Sequence, residues 1–526
     1  MSLVDPGISK NRSSSIFPLF SGKGVRNKLV FQDYWSFKNS QSVQAFVMTL
    51  RDGSGQEVGA KTLKMGDLKA YSFDVYDLFD VETRETNQFD HSVEVEIFFL
   101  EKPLFNYPAI FIVYSHADGV GLVHSCLRSL DQDEELSPAI EELPQTGFDI
   151  FATQNCDTHI LFNTAKTGNQ EITFDFSDFS TGQHFSLSTN ATSRASNQLH
   201  AINLSSLVRD KLGPCDSVFK ASFNFKLYGI FPRYYIANVH HRANGLAPGL
   251  THSFFDQSNE RPDTCENSYL PSLPTSKVHQ SGLTVPVFMN RAREIQTNLI
   301  CYESNSSSRV SAELSVCSEN GEQIHTTPLA SEDVASLKRL DLSEIVRPFF
   351  DKDGSDEAIY SVNIRLKESQ TRIPRRMKFA LNVFHAGRES SGTNICFTAL
   401  VIDDVKKVKK PFSTRWGPIG GDEDFMYVFQ ANDFWYDVYR ETEEQPIDHS
   451  LERLAEFNLF NSHGENKRFE RPFNLGQTLV FSKADKEIAD FLNGQTGTLM
   501  CKAPAPFLDG WVLSFKKEAI GGDHAF

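Results

Sequence analysis

The sequence predicts an all-β protein of four tandem antiparallel β-sandwich repeats that arose by internal duplication, with few short helices, mostly in the fourth repeat. Three observations predict it. A short signature recurs four times: an apolar residue, Asp or Asn, an aliphatic residue, and another apolar residue a few positions on. The copies are Phe73-Asp74-Val75 with Leu78, Ile202-Asn203-Leu204 with Leu207, Leu340-Asp341-Leu342 with Ile345, and Phe473-Asn474-Leu475 with Leu479. Their Asp/Asn positions lie 129, 138 and 133 residues apart. Between the copies, hydrophobicity alternates or comes in short bursts separated by turn residues, as expected of half-buried strands. Finally, 526 residues exceed the ~250–300 at which a single core stops growing, and four repeats of about 130 match the usual domain size.

Each repeat supports the strand reading in turn. In the first, residues 43–50 alternate and are followed by Asp52-Gly53 and Gly55, which reads as strand, turn, strand. The second has an alternating run at 171–176, a turn near Thr181-Gly182 and a strand at 184–187. The third repeats the plan with 310–316, Asn320-Gly321 and 323–325. Helical periodicity is confined to 448–457 and 483–492 in the fourth repeat, plus single turns such as 343–346. The Asp/Asn of the signature closes a strand and opens a turn, where a short polar side chain bonds its own backbone. Aligning the copies gives repeats at 20–135, 148–258, 281–402 and 422–526, joined by a polar connector at 256–274 and a basic one at 406–421. Ile419-Gly420-Gly421-Asp422 resembles Ile520-Gly521-Gly522-Asp523 near the end of the sequence, which leaves open an end for the third repeat near Phe425.

Composition bounds the function. The 44 Phe, against 14 Tyr and 4 Trp, suit packed sheet faces, because a phenyl ring buries much area without needing a hydrogen-bond partner. A formal charge of −16 disfavours phosphate neutralisation, so no nucleic-acid partner is expected. Local basic clusters at Arg372, Arg375, Arg376 and Lys378 and at Lys406, Lys407, Lys409 and Lys410 read as solvated loop charge. No apolar run reaches the ~18 residues of a membrane span, and residues 1–23 lack an export signal. Eight scattered Cys without a CxxC pair indicate reduced thiols and a cytoplasmic location.

The strongest chemical candidates lie late in each repeat, where an apolar strand ends in His, a Gly-containing loop follows, and a second polar position opens the next strand. The first repeat offers His116, Asp118 and His124, the second His240 and His252, and the third His385 and Cys396. The fourth has Phe515 and His524, beside Asp523. In a hairpin symmetric about Val120, His116 faces His124, and about Leu246, His240 faces His252. Directly opposed residues have Cβ atoms ~4.5–5.5 Å apart, close enough to share a ligand or a proton. Paired imidazoles supply half of a zinc-type site, so His116, His124, His240 and His252 are the candidate ligands for a divalent transition metal. The competing reading makes them caps on buried strand ends, with no cofactor. No nucleophile elbow, Walker loop or His-Glu-x-x-His is present.

These features predict a non-catalytic binding or assembly protein that recognises a protein partner or a carbohydrate through end loops, with homo-oligomerisation open. The alternative is a metal-dependent hydrolase or isomerase that uses the late-hairpin histidines.

Overall fold

The computed structural model describes residues 11–65, 69–82, 85–103, 107–130, 146–223, 229–241, 247–255, 269–270, 281–302, 311–329, 337–367, 373–374, 376–400, 413–431, 453–474, 476–504 and 508–526. The basic and acidic runs at 131–135, 406–410 and 441–444, and nearly all of the connector at 256–274, lie outside these residues.

One sheet plan is written four times. In the first repeat the strands are β1 (Arg12–Ser21), β2 (Arg26–Gln32), β3 (Val43–Asp52), β4 (Glu57–Leu63), β5 (Ala70–Asp74), β6 (Gln88–Phe99), β7 (Ile110–His116) and β8 (Gly119–His124). They form two antiparallel sheets of order β1-β6-β3-β4 and β5-β2-β7-β8. The second repeat keeps both orders with Thr146–Ala152, Cys156–Thr164, Gly168–Asp178, His184–Ser193, Gln198–Asn203, Ser217–Phe223, Tyr235–His240 and Gly249–His252. It adds Phe254–Phe255 beside its first strand. The third repeat runs from Ser281–Asn290 to Ile395–Leu400, and the fourth from Ser413–Gly420 to Ile520–His524, in the same orders.

Alternation explains which face of each sheet is inside. In Gly168–Asp178, Ile172, Phe174 and Phe176 are buried while Glu171, Thr173 and Asp175 are exposed. The abundant Phe closes the space between sheets: Phe31 of β2 stacks on Phe46 of the facing β3 at 4.8 Å. In the fourth repeat Phe457 reaches Phe429 at 5.8 Å and Phe481 at 4.5 Å. Such ring pairs add ~0.5–1.5 kcal/mol each beyond the area they bury.

Three signature copies are helix N-caps. Asp74 accepts from the amides of Tyr76 (2.9 Å) and Asp77 (3.4 Å), Asn203 from Ser206 (2.9 Å), and Asp341 from Glu344 (2.9 Å). Each cap stabilises its helix by about 1 kcal/mol. A serine two residues after the cap makes a second repeated bond: Ser205 Oγ accepts from Thr158 N (2.7 Å) and Ser343 Oγ from Thr297 N (2.8 Å). That bond pins the helix start to the neighbouring strand.

The fourth copy departs from the plan. Asn474 caps no helix; the strand that fills this place is Thr478–Phe481, and the helix Lys486–Leu492 has Asp485 at its N-cap position. The helical reading of 448–457 also fails in its described part, since Arg453–Phe460 is a strand in which Ala455, Phe457 and Leu459 are buried. Those residues satisfy a two-residue period as well as a helical one, and the sheet partners decide it. The longest helix among the described residues is Leu342–Asp353 in the third repeat. Strands Arg12–Ser21 and Ser413–Gly420 begin ahead of the expected starts at 20 and 422. The sequence there resembles linker, yet Ser13, Ser14 and Ser15 are buried.

The chain divides into two compact units: 1–255 with 462–464 and 516–521, and 256–461 with 465–515 and 522–526. In the first, two sandwiches pack through Asn163 Nδ2 to Ser92 Oγ (3.1 Å), Leu199 N to Gly53 O (3.2 Å) and Cys126 N to Tyr235 Oη (3.3 Å). In the second, a buried polar network joins the third and fourth sandwiches. Gln430 Nε2 donates to Ser361 Oγ (2.7 Å) and Thr478 Oγ1 (3.0 Å), those hydroxyls lie 2.6 Å apart, and Trp511 Nε1 donates to Gln430 Oε1 (3.1 Å). No described helix is long and apolar enough to cross a membrane.

Candidate functional site

The first late hairpin is tighter than the sequence suggests, and the second pairs in another register. β7 and β8 turn through Ala117 and Asp118 alone, so His116 pairs with Gly119 and His124 with Phe111. In the second repeat Asn238 pairs with Gly249 and Tyr235 with His252. His116 therefore does not face His124, nor His240 His252. Gly119, Gly121 and Gly249, read as loop, are strand residues, whereas Gly387 and Gly392 do lie in the loop of the third hairpin and Gly245 lies outside the described residues. A Cβ on Gly121 would sit 1.9 Å from the Pro248 carbonyl oxygen, so this position is glycine because another chain segment fills the space.

In the first three repeats the first-position residue does not oppose its second-position counterpart. His116 accepts through Nδ1 from the Asp118 amide at 3.2 Å, a bond local to the turn. Buried His240 lies opposite Cys156 on the neighbouring strand. His385 Nδ1 lies 3.3 Å from the Arg293 carbonyl. The ladder aligns His124, His252 and Cys396 as equivalents, since they oppose Phe111, Tyr235 and Ala380. His524 closes the last strand of the fourth repeat, with Nδ1 3.3 Å from the Ala525 carbonyl.

Duplication brings together the two second-position histidines of the first unit. The rings of His124 and His252, 4 % and 2 % exposed, meet edge to face with centroids 4.7 Å apart. Each precedes a serine held in the same way: Ser125 N donates to Ile110 O and Ser253 N to Tyr234 O, both at 2.8 Å. The His252 ring is also oriented. Arg233 contacts Nε2 at 3.1 Å, and Nδ1 lies 2.8 Å from the Ser253 carbonyl. Guanidinium only donates, so Nε2 is the acceptor and Nδ1 carries the hydrogen. The arrangement satisfies a hydrogen-bonded strand end. A cation on Nε2 would have to displace the Arg233 donor, whereas an Nδ1–H held by a carbonyl is equally the support a metal-ligating imidazole uses.

Arg233 was not foreseen. It belongs to a cationic cluster in which Arg128 lies over the rings of Tyr107 (4.9 Å) and Phe231 (4.6 Å). Asp157 also escaped notice. It takes 2.7 Å and 3.2 Å contacts from Asn203 Nδ2 and His241 Nε2 and a further one from Arg209. Burial pushes its carboxyl up, but the bonds from Arg209 and Asn203 outweigh this and hold it below the usual range.

Concavity appears elsewhere, at one end of the second sandwich. A cleft of about 340 Å³ opens where the loop after Cys156–Thr164 meets the edge hairpin. Its polar lining is Thr164, Lys166, Thr167, Asn169, Gln170 and Ser193. Thr164 Oγ1 is buried with no hydrogen-bond partner, and Asn169 Oδ1 is fixed by Thr192 Oγ1 at 2.8 Å. Residues that carry three hydroxyls, two amides and an ammonium thus line one small space, with Ser193 Oγ engaged by His200 Nε2 at 2.9 Å. The only sequence signal for it was the polar run Thr164–Gln170, which is indistinguishable from an ordinary turn until the fold curls it.

No family model matches this sequence, and no curated protein matches it. Among solved structures, a tetra-tandem repeat in the extending region of a large adhesion protein is similar over 98 % of this chain and 98 % of that chain. Identity is 7 % and the TM-score 0.09, a level that carries no argument.

Proposed function

We propose that this chain is a non-catalytic binding protein whose duplicated sandwiches form a scaffold and whose end loops recognise a carbohydrate. The polar cleft of the second sandwich carries the reading. At about 340 Å³ it is large enough for one or two sugar rings by the usual size of ligand clefts, ~300–1,000 Å³. Sugar hydroxyls both donate and accept, and the lining of hydroxyl, amide and ammonium groups offers both roles. Lys166 additionally favours a sugar that bears a carboxylate or sulfate.

The protein, immobilised, is exposed to a panel of neutral and acidic oligosaccharides. Saturable binding is expected, weakened at least tenfold by Lys166→Ala or Asn169→Ala. Binding that these substitutions leave unchanged, or none across the panel, refutes the reading. A metal-dependent hydrolase is the rival. Its support is the approach of His124 to His252, and Arg233 stands against it. Stoichiometric zinc in purified protein, lost on changing His124 to Gln, would favour that rival.

A further inference from the structure

The four outer hairpin strands differ in one respect that bears on self-association. Among the described residues each ends its sheet order: Glu57–Leu63, His184–Ser193, Gln323–Leu329 and Asn466–Phe473. An open edge offers unpaired backbone groups to another chain, and proteins normally blunt it with charge, proline or a bulge. Three of these edges are blunted. Glu57–Leu63 carries Glu57 and Lys61 and a register shift. Gln323–Leu329 has Pro328 and a register shift. Asn466–Phe473 has Lys467, Arg468, Glu470, Arg471 and Pro472.

The strand His184–Ser193 has none of these devices. Its sequence, HFSLSTNATS, contains no proline and no Asp, Glu, Lys or Arg, and its pairing with Gly168–Asp178 runs from Ser177/His184 to Gly168/Ser193 without a shift. Cross-strand bonds hold it straight: Ser177 to His184 (2.8 Å), Asp175 to Ser186 (2.6 Å), Thr173 to Ser188 (2.8 Å) and Asn169 to Thr192 (2.8 Å). Little ordering entropy is left to lose on docking.

The geometry points to an isologous dimer in which His184–Ser193 pairs antiparallel with the same strand of a second copy of this chain, joining two sheets into one. Self-complementarity points to this occupant. In an isologous antiparallel pair only the residue on the axis meets its own copy, and here that residue is the small, neutral Ser188, with uncharged pairs on either side. The register centred on Ser188 keeps the exposed face continuous: His184 opposes the second copy's Thr192, and Ser186 opposes Asn190. Arg194 lies just beyond the strand's end, far from the axis, and the acidic residues opposite the strand's middle, Glu171 and Asp175, stand one strand back. Their copies would be about 14 Å away, three strand spacings, which exceeds the screening length of ~8–10 Å at physiological salt.

Sedimentation velocity of the full chain over a range of concentrations in physiological salt tests this. The expected result is a reversible monomer–dimer equilibrium, shifted at least tenfold toward monomer by Ser188→Lys and by Asn190→Lys. Thr62→Lys on the already blunted edge leaves it unchanged. Circular dichroism matching the parent shows that the variants are folded. As a positive readout, Ser188→Cys should form a covalent dimer on mild oxidation, and Thr62→Cys should not. A monomer at every concentration, a dimer indifferent to Ser188→Lys, or a chain that takes up only an extended peptide at this edge would each overturn the proposal.

Discussion

Removing the Gln430 side chain should weaken the second unit more than any surface change. Gln430 is fully buried and lies at the centre of the network that joins the third and fourth sandwiches. Truncation to Ala leaves the Trp511 indole N–H, 3.1 Å from Gln430 Oε1, without its acceptor. A buried donor stripped of its partner costs ~1–3 kcal/mol. Ser361 and Thr478 retain each other at 2.6 Å, which limits the damage on that side. The space vacated by the amide and its methylenes adds about 1–2 kcal/mol of cavity cost. The total for Gln430→Ala is then about 2–5 kcal/mol, and Gln430→Leu, which restores the volume, should lose only the hydrogen-bond part. Urea unfolding read by tryptophan fluorescence suits this test, because among the described residues Trp416 and Trp511 fall in the second unit and Trp35 in the first. Combining Gln430→Ala with Trp511→Phe should cost less than the sum of the two changes, since the orphaned donor is gone. An unchanged midpoint for Gln430→Ala, or strict additivity with Trp511→Phe, would refute the reasoning.

Other outcomes follow from the first unit. Burial holds His159 and His200 below the ordinary imidazole range. The unfolded chain takes up protons near pH ~6.5 while the fold resists them. Stability of the second sandwich is therefore full above that value and declines as pH falls through it toward the folded values; His200→Phe, stacked as now on Phe162, should flatten that slope in denaturation midpoints measured from pH 7.5 to 5.5. Asp157 behaves as a depressed carboxylate, so its contribution is present above pH ~3.9 and lost on further acidification. Asp157→Ala should cost about 2–3 kcal/mol in urea unfolding at pH 7, the scale of hydrogen bonds to a buried charge. His252→Ala leaves the Arg233 guanidinium short of an acceptor and should destabilise by about 1–3 kcal/mol. His116→Gln, at a half-buried turn, should change the midpoint little.

Much of the architecture was legible because it depends on local physics. Asp74, Asn203 and Asp341 are N-caps, a role that a short acceptor before an apolar helical turn advertises in sequence. The fourth copy misled because Asn474 has the pattern without the helix, which starts at Lys486. Register was the other failure. Gly119 and Gly121 looked like loop, yet they are buried strand residues, and the reason at Gly121 is a carbonyl contributed by residue 248. Such long-range sterics leave no mark in the local pattern. His124, His252 and Cys396 hold one place in three repeats, whereas the fourth hairpin puts Lys516 rather than Phe515 in the place of His116. Which of these residues meet depends on how two sandwiches pack. His124 and His252 meet, and Arg233 contacts His252 Nε2. The cleft was invisible because its walls, 164–170 with Ala191 and Ser193, are brought together only when the second sandwich folds.

Hydrogen–deuterium exchange with and without a saturating oligosaccharide tests the binding reading most directly. Slowed exchange confined to 164–170 and 191–193 is the predicted result. Protection elsewhere, or none at all, would contradict it.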